Sequence, residues 1–509
     1  MKTRLQKTVL NSSVSVFIFV LRLIMSFLVR SFFIQYLGIE YLGLNGLFTN
    51  ILSFLSLAEL GFGTSIIYEL YEPLAIKDKK ALSALMNLYK KSYMVIGISV
   101  GILGVLIIPF LHLFIEGSNV SNVYYIYILF LINSVVSYFF TYKKSLLNAD
   151  QKNYVVVIIE FSFFVALSIS QIISLILFNN FIIYLILQII ATIGGNIVIS
   201  FFVSRKYKDI FAINPTKTSS EIRNRLKRNI IGNFSSQIGS VLVLATDNIM
   251  ISYFIGLATV GKYANYTMII TAIRGITSQI TGAVTPSLGN AITEKNKRKE
   301  LELFKIHLFI NSSIVYFISV TLVTVMNPFI ELWVGKDFLF SDQLMLLIVI
   351  QITLQIYLGT CRTFIAAYGI FWQQRWKSII EGLINILLSL VLVKSFNLGI
   401  SGIILGTILS TILVIFWYEP YLVFKYGLKT SSIDYAKKTI IFFIKLSIAI
   451  TLGLFLKQYI PTHSFIAFII GVFCTFLCNT LVYVILFSYE QDFRNALYFV
   501  KKLSLNRSK

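Results

Sequence analysis

The chain is a succession of long apolar stretches separated by short polar ones. The stretches run roughly over 14–36, 43–69, 92–113, 122–141, 154–178, 180–204 and 230–255. They continue over 262–287, 304–327, 341–368, 377–396, 399–424, 438–459 and 464–488. Each reaches the roughly 20 residues a helix needs to cross the hydrocarbon core of a bilayer. Apolar and polar positions do not alternate within them, so helices rather than barrel strands are predicted. The pattern therefore predicts an all-α polytopic membrane protein with about 14 transmembrane helices. The fifth and sixth stretches, and the eleventh and twelfth, are separated by so few residues that each pair predicts a helical hairpin.

Composition strengthens this reading. Of 509 residues, 57% are hydrophobic and only 13% charged, against ~25% charged in ordinary soluble domains. The net charge of +22 comes from 44 Lys+Arg against 22 Asp+Glu, and its placement decides what it means. With the N-terminus set inside, 35 of the 44 basic residues fall in the inner segments, 4 in the outer loops and 5 within spans. An error in the number of spans would scramble that asymmetry, so the positive-inside rule predicts both termini on the cytoplasmic side. The charge is spread over eight inner segments rather than gathered on one face, which argues against a nucleic-acid partner. The first stretch carries Arg22 and Arg30 and ends in no small-residue cleavage site, so a retained span is expected rather than a signal peptide.

The halves are related. YLGIEYLG at 36–43 matches FIGLATVG at 254–261 in glycine spacing, and Thr49 and Thr267 fall at the same offset. VVIIE ending at Glu160 is echoed by KSIIE ending at Glu381. Six spans per half is an even number, so the halves share one orientation, as in parallel-repeat transporters. The expected organisation is a six-helix lobe over 1–204, a basic cytoplasmic linker over 205–229, and a second six-helix lobe over 230–425. Two additional helices and a basic cytoplasmic tail over 426–509 complete it.

No enzyme signature survives. GLATVGKY at 256–263 approaches a phosphate-binding loop but has Tyr263 where a magnesium-binding hydroxyl belongs, and no strand precedes it. His112, His307 and His463 are dispersed, so no metal site or cofactor is expected. Cys361, Cys474 and Cys478 lie in apolar runs without a ligand set and read as small buried residues.

The informative residues are charges inside spans: Arg22, Arg30, Glu59, Glu160, Asp247, Arg274, Arg362, Glu381 and Lys445. Each costs roughly 2.5–3.5 kcal/mol at the bilayer centre unless it faces water, pairs or snorkels. Lys445, Glu160 and Glu381 lie near the inner ends of their spans, where snorkelling or a helix-terminus contact accounts for them. Arg362 has Glu381 at similar depth as a pairing partner. Ser15, Arg22, Ser26 and Arg30 form a polar stripe on one side of the first helix. Glu59 and Asp247 lie at depths where they pair with Arg22 and Arg30 or couple to an ion. Arg274 is then left in excess. A planar guanidinium suits bidentate contact with phosphate oxygens, so Arg22, Arg30, Arg274 and Arg362 are the candidate cationic cavity for an anionic substrate.

GIEYLGLNGLFTNILSFLSLAELGFGTSI at 38–66 and DNIMISYFIGLATVGKYANYTMI at 247–269, with the two-lobe plan, resemble the bacterial polysaccharide (Wzx-type) flippases of the multidrug/oligosaccharidyl-lipid/polysaccharide exporter superfamily. The resemblance implies two lobes around a central cavity and alternating access. It also implies a cargo of undecaprenyl-diphosphate-linked oligosaccharide, moved from the inner to the outer leaflet of the bacterial plasma membrane. Membrane lipid, a proton or sodium ion and a polysaccharide polymerase are the partners it implies. In related peptidoglycan-precursor flippases, arginines of the first and eighth helices line the cavity, and the two extra helices form a groove for the lipid tail. A lipid II flippase, a drug/cation antiporter of the same superfamily and a membrane polymerase are the alternatives. The antiporter would favour acidic, aromatic walls, and the polymerase a large outer loop.

Overall fold

The computed structural model describes residues 4–59, 62–115, 120–214, 245–282, 296–370 and 372–494, with single positions among 215–244 and 283–295. Every described element is helical. In chain order the main helices are α1 (Arg4–Leu37), α2 (Ile39–Leu55), α3 (Phe62–Ala75), α4 (Lys79–Ile107), α5 (Val123–Ala149), α6 (Asn153–Phe178) and α7 (Phe181–Lys206). There follow α8 (245–254) and α9 (Leu257–Gly282). Next come α10 (Lys297–Val334), α11 (Asp342–Tyr357), α12 (Gly359–Tyr368) and α13 (Lys377–Lys394). The last are α14 (Gly399–Leu428), α15 (Ile433–Lys457) and α16 (Phe465–Phe487). The chain is a multi-pass, all-α membrane protein.

Ten described helices are long and apolar enough to cross a membrane, and described helix falls within each of the fourteen predicted stretches. The stretch at 43–69 differs from a single span. It breaks after α2 into a 3-10 turn, Ser56–Glu59, and resumes as α3. The first part of 230–255, the end of 262–287, most of the basic linker and the tail beyond Arg494 lie outside the described residues. Helix α14 contains π turns at Thr411–Ile415 and Val423–Leu428, on either side of Pro420. A proline inside a helix removes one backbone donor and crowds the preceding turn, and widened turns absorb that disruption.

The chain divides into two compact units, Met1–Ala264 and Asn265–Lys509, with the division inside α9. Unit 1 is built on an apolar core that includes Leu44, Phe48, Leu82, Tyr127 and Leu146. Outward positions stay apolar. Val95, Ile102 and Leu106 of α4 are 63%, 58% and 60% exposed. Their spacing of seven and four puts them on one helix face, the inverse of a soluble surface and the expected face toward lipid. The hairpin at 154–204 turns at Asn179, whose φ is 47°. Asn180 then caps α7 by accepting from the backbone N–H of Ile182 at 2.8 Å and of Ile183 at 3.3 Å.

The glycine repeat has a structural counterpart. Gly38 (φ 85°) separates α1 from α2, and Gly256 (φ 117°) separates α8 from α9. Glycine adopts this backbone region without steric cost. Five residues on, Gly43 and Gly261 make reciprocal close approaches. A β-carbon on Gly43 would sit 2.0 Å from the carbonyl oxygen of Leu257, and one on Gly261 would sit 2.4 Å from that of Ile39. The two repeated segments thus cross at equivalent positions, and glycine at each is what lets the backbones touch.

The cysteines divide. Cys361 is buried, whereas Cys474 and Cys478 are exposed on α16, contrary to the expectation that all three are buried. An apolar run does not distinguish a core-facing position from a lipid-facing one.

Candidate functional site

Helix α1 places Arg22 and Arg30 eight residues apart, or about 12 Å along its axis. Both are half-buried. The Arg22 guanidinium lies over the Phe164 ring of α6, 5.2 Å from its centroid. Arg30 interacts electrostatically with Tyr184 of α7, whose ring packs edge-on against Phe33 at 5.3 Å. Arg22 Nε and Arg30 Nη1 are buried with no hydrogen-bond partner among the described residues. A cation–π contact satisfies a guanidinium face but not its N–H groups. Ser15 of the predicted stripe lies where side chains are not described.

The acidic residues of unit 1 have distinct settings. Glu59 ends the 3-10 turn after α2 and shares a hydrogen bond with the Tyr138 hydroxyl of α5. Asp247 is 2% exposed within α8. Glu160 pairs with Lys144 at 2.8 Å.

In unit 2, Arg274 of α9 donates from Nη2 to Gln355 Oε1 of α11. Arg362 of α12 does not take Glu381 as its partner. Its Nε donates to both oxygens of Glu419, at 3.2 and 3.3 Å, and its Nη1 to the Gln355 carbonyl at 3.4 Å. Lys377 donates to the same carboxylate at 2.5 Å. Glu419 is fully buried, and Lys377 is 9% exposed. Glu381 instead accepts from Thr411 at 3.2 Å. Gln355 thus joins Arg274 through its side chain to Arg362 through its backbone.

Glu419 is the residue that sequence reading missed. It lies inside the predicted span 399–424, followed by Pro420, and a carboxylate before a proline in an apolar run was the available signal. Gln355, a neutral residue, gave none. Lys445 behaves as expected. It donates to the Leu486 carbonyl at the end of α16 at 2.6 Å and pairs with Glu490 at 2.5 Å.

The arrangement leaves two kinds of intramembrane cation. Arg362 and Lys377 share one buried carboxylate, Glu419. Arg22 lies over an aromatic ring and Arg30 interacts with Tyr184, and each keeps a buried N–H group without a partner among the described residues.

The family model described as polysaccharide biosynthesis protein matches residues 9–291, more than half of the chain. The chain belongs to the polysaccharide biosynthesis protein family. No curated protein matches it in sequence. Among solved structures it is similar to the lipid II flippase MurJ in an inward closed conformation, with a TM-score of 0.65 at 20% identity, over 94% of this chain and 98% of that one. It is also similar to an inward-facing multidrug resistance MATE family transporter of the MOP superfamily, with a TM-score of 0.64 at 15% identity, over 80% of this chain and 95% of that one. A MOP superfamily transporter from Pyrococcus furiosus gives a TM-score of 0.52 at 16% identity, over 84% of this chain and 97% of that one. At these identities the likeness is one of fold.

Proposed function

We propose that this protein is a flippase that carries undecaprenyl-diphosphate-linked oligosaccharide repeat units from the inner to the outer leaflet of the bacterial plasma membrane. It works by alternating access with both termini cytoplasmic, in the synthesis of a surface polysaccharide. The observation that carries the reading is the pair Arg22 and Arg30: guanidinium groups inside a spanning helix, matched by aromatic rings and carrying buried N–H groups without a protein acceptor among the described residues. A diphosphate is dianionic or more, rich in oxygen acceptors, and barred from hydrocarbon by its solvation. Arginine forks supply paired donors of fixed geometry to it. Arg274, positioned through Gln355, and Arg362, held by Glu419 and joined to the same glutamine, are the candidate cations of unit 2. The polyprenyl tail remains in lipid throughout. Glu59 and Asp247 are the acidic residues available to couple the cycle to a proton or sodium gradient. Family membership supports polysaccharide rather than drug as cargo. A polymerase that joins the exported units is the expected downstream partner.

The test is deletion in the native host, followed by extraction of polyprenyl-diphosphate oligosaccharides and assignment of their leaflet. Accumulation of complete repeat units on the inner leaflet, reversed by the intact gene and not by an Arg30→Leu variant, is the expected result. Single units that reach the outer face but fail to join would make the protein a polymerase. Accumulated peptidoglycan precursor would make it a lipid II flippase. Unchanged glycolipids with altered resistance to cationic drugs would make it an antiporter.

A further inference from the structure

Unit 1 carries a second cationic feature, away from the intramembrane arginines. Where α4 begins and α7 ends lies a cavity of about 320 Å³ lined by Lys77, Lys79, Arg205, Lys206, Lys208 and Asp209. Leu74, Leu82 and Ile210 supply an apolar wall and Tyr207 a ring. Among the described lining residues the one carboxylate is Asp209, and Lys79 engages it at 2.7 Å. Leaving Lys206 aside, four cations stand against one carboxylate among the described lining residues.

The placement of these cations is unfavourable for the fold alone. Lys79 and Lys80 occupy the first turn of α4, where the helix macrodipole favours negative charge. Asp78 caps that terminus with its own side chain, accepting from the backbone N–H of Lys80 and Ala81, so the helix end is already satisfied. Lys77 adopts φ 58°, a left-handed conformation that a residue with a β-carbon rarely takes. The basic residues distributed by the positive-inside rule need no concave setting. The comparable cavity of unit 2, beside α10, α15 and α16, also contains lysines. There Lys438 pairs with Asp492, and Glu490, another lining residue, pairs with Lys445. Exposed apolar side chains lie close in sequence to the lining of the unit 1 cavity: Ile76, next to Lys77, is 69% exposed, and Phe201 of α7 is 65% exposed.

We infer that this cavity binds the phosphate of an anionic lipid headgroup at the membrane surface, with the acyl or prenyl chain on the adjoining apolar rim. Basic pockets between spanning helices are suited to such headgroups by charge and by proximity to the bilayer. Two sources share this chemistry, a glycerophospholipid and a polyprenyl phosphate. The inference does not depend on the flippase reading, since it concerns binding rather than transport.

The test is titration of the purified full-length protein in detergent, read by native mass spectrometry. The probes are phosphatidylglycerol, undecaprenyl phosphate and, as the zwitterionic reference, phosphatidylcholine. A triple variant Lys77→Gln/Arg205→Gln/Lys208→Gln is compared with one that makes the same charge change on unit 2, Lys425→Gln/Lys429→Gln/Lys437→Gln. The expected result is a weakening of roughly tenfold or more for an anionic probe in the first variant only, with phosphatidylcholine unaffected. Loss of phosphatidylglycerol binding identifies a structural phospholipid, and loss of undecaprenyl phosphate binding alone identifies a cargo-type lipid. Equal weakening in both variants, or none in either, overturns the inference. A Lys77→Arg/Lys208→Arg variant, which keeps the charge, retains binding and separates loss of the site from loss of fold.

Discussion

Two pairs of cations, one pair in each unit, are handled in opposite ways. In unit 2, Arg362 and Lys377 converge on the fully buried Glu419, so each has a carboxylate partner within the protein. In unit 1, Arg22 faces Phe164, Arg30 faces Tyr184, and guanidinium N–H groups of both stay without a protein acceptor among the described residues. The span they lie in does not distinguish the arginines, since the helices that carry Arg22, Arg30 and Arg362 have similar mean hydropathy. The difference lies in what the neighbouring helices contribute. A carboxylate makes a cation part of the architecture, whereas an aromatic ring meets the guanidinium face and leaves its N–H donors unused.

That contrast breaks most sharply at Glu419. Replacing it with Gln leaves Lys377 buried without its counter-charge, and the expected cost is about 3–5 kcal/mol. Thermal unfolding followed by size-exclusion in detergent checks it. An unchanged midpoint would mean that the cluster is not structural. A Glu419→Gln/Lys377→Met double variant, which removes both charges, is expected to recover much of the loss.

The complementary change is Arg30→Leu. Deleting a cation that no carboxylate balances is expected to leave the midpoint within ~1 kcal/mol of wild type. Loss of charge-assisted contacts to a phosphate is expected to lower transport by about 10–100-fold. Arg22→Lys keeps the charge but loses the fork, and an intermediate loss is expected. Full transport in Arg30→Leu would place that arginine with the structural cations of unit 2.

A smaller effect tests where the repeated segments are alike rather than different. Gly43→Ala and Gly261→Ala each drive a β-carbon into a backbone carbonyl, at an expected cost of about 1–3 kcal/mol apiece. The reciprocal geometry predicts similar shifts in melting temperature for the two. A large shift in one and none in the other would show that the crossing is not equivalent on both sides.

The smallest expected effect is at the surface pair Lys79–Asp209. The Lys79 ammonium beside it holds the Asp209 carboxyl below its ordinary value. The sign follows from a lowered folded-state value: the pair contributes at neutral pH, and the contribution is lost only as the pH falls through that lowered value. Asp209→Asn is therefore expected to change stability slightly at neutral pH, to be sensitive to salt, and to match wild type in strong acid. Unfolding midpoints measured across pH and ionic strength check it.

The sequence by itself determined the class of the protein. Runs of about twenty apolar residues and basic residues concentrated in the segments between them follow from the solvation of backbone and charge in a bilayer. Those constraints act on each segment locally, so they are written locally. The arginines of α1 stood out for the same reason, as charges where charge is costly. Tertiary structure decided the partners. Arg362 paired with Glu419, 57 residues away, rather than with Glu381 at a similar depth, because depth fixes only one coordinate and rotation about the helix axis fixes the rest. Gln355 gained a role through two arginines it meets only in the folded state. Cys474 and Cys478 turned outward because in a membrane apolar residues face lipid as readily as core, and the hydrophobic effect gives no signal to separate the two.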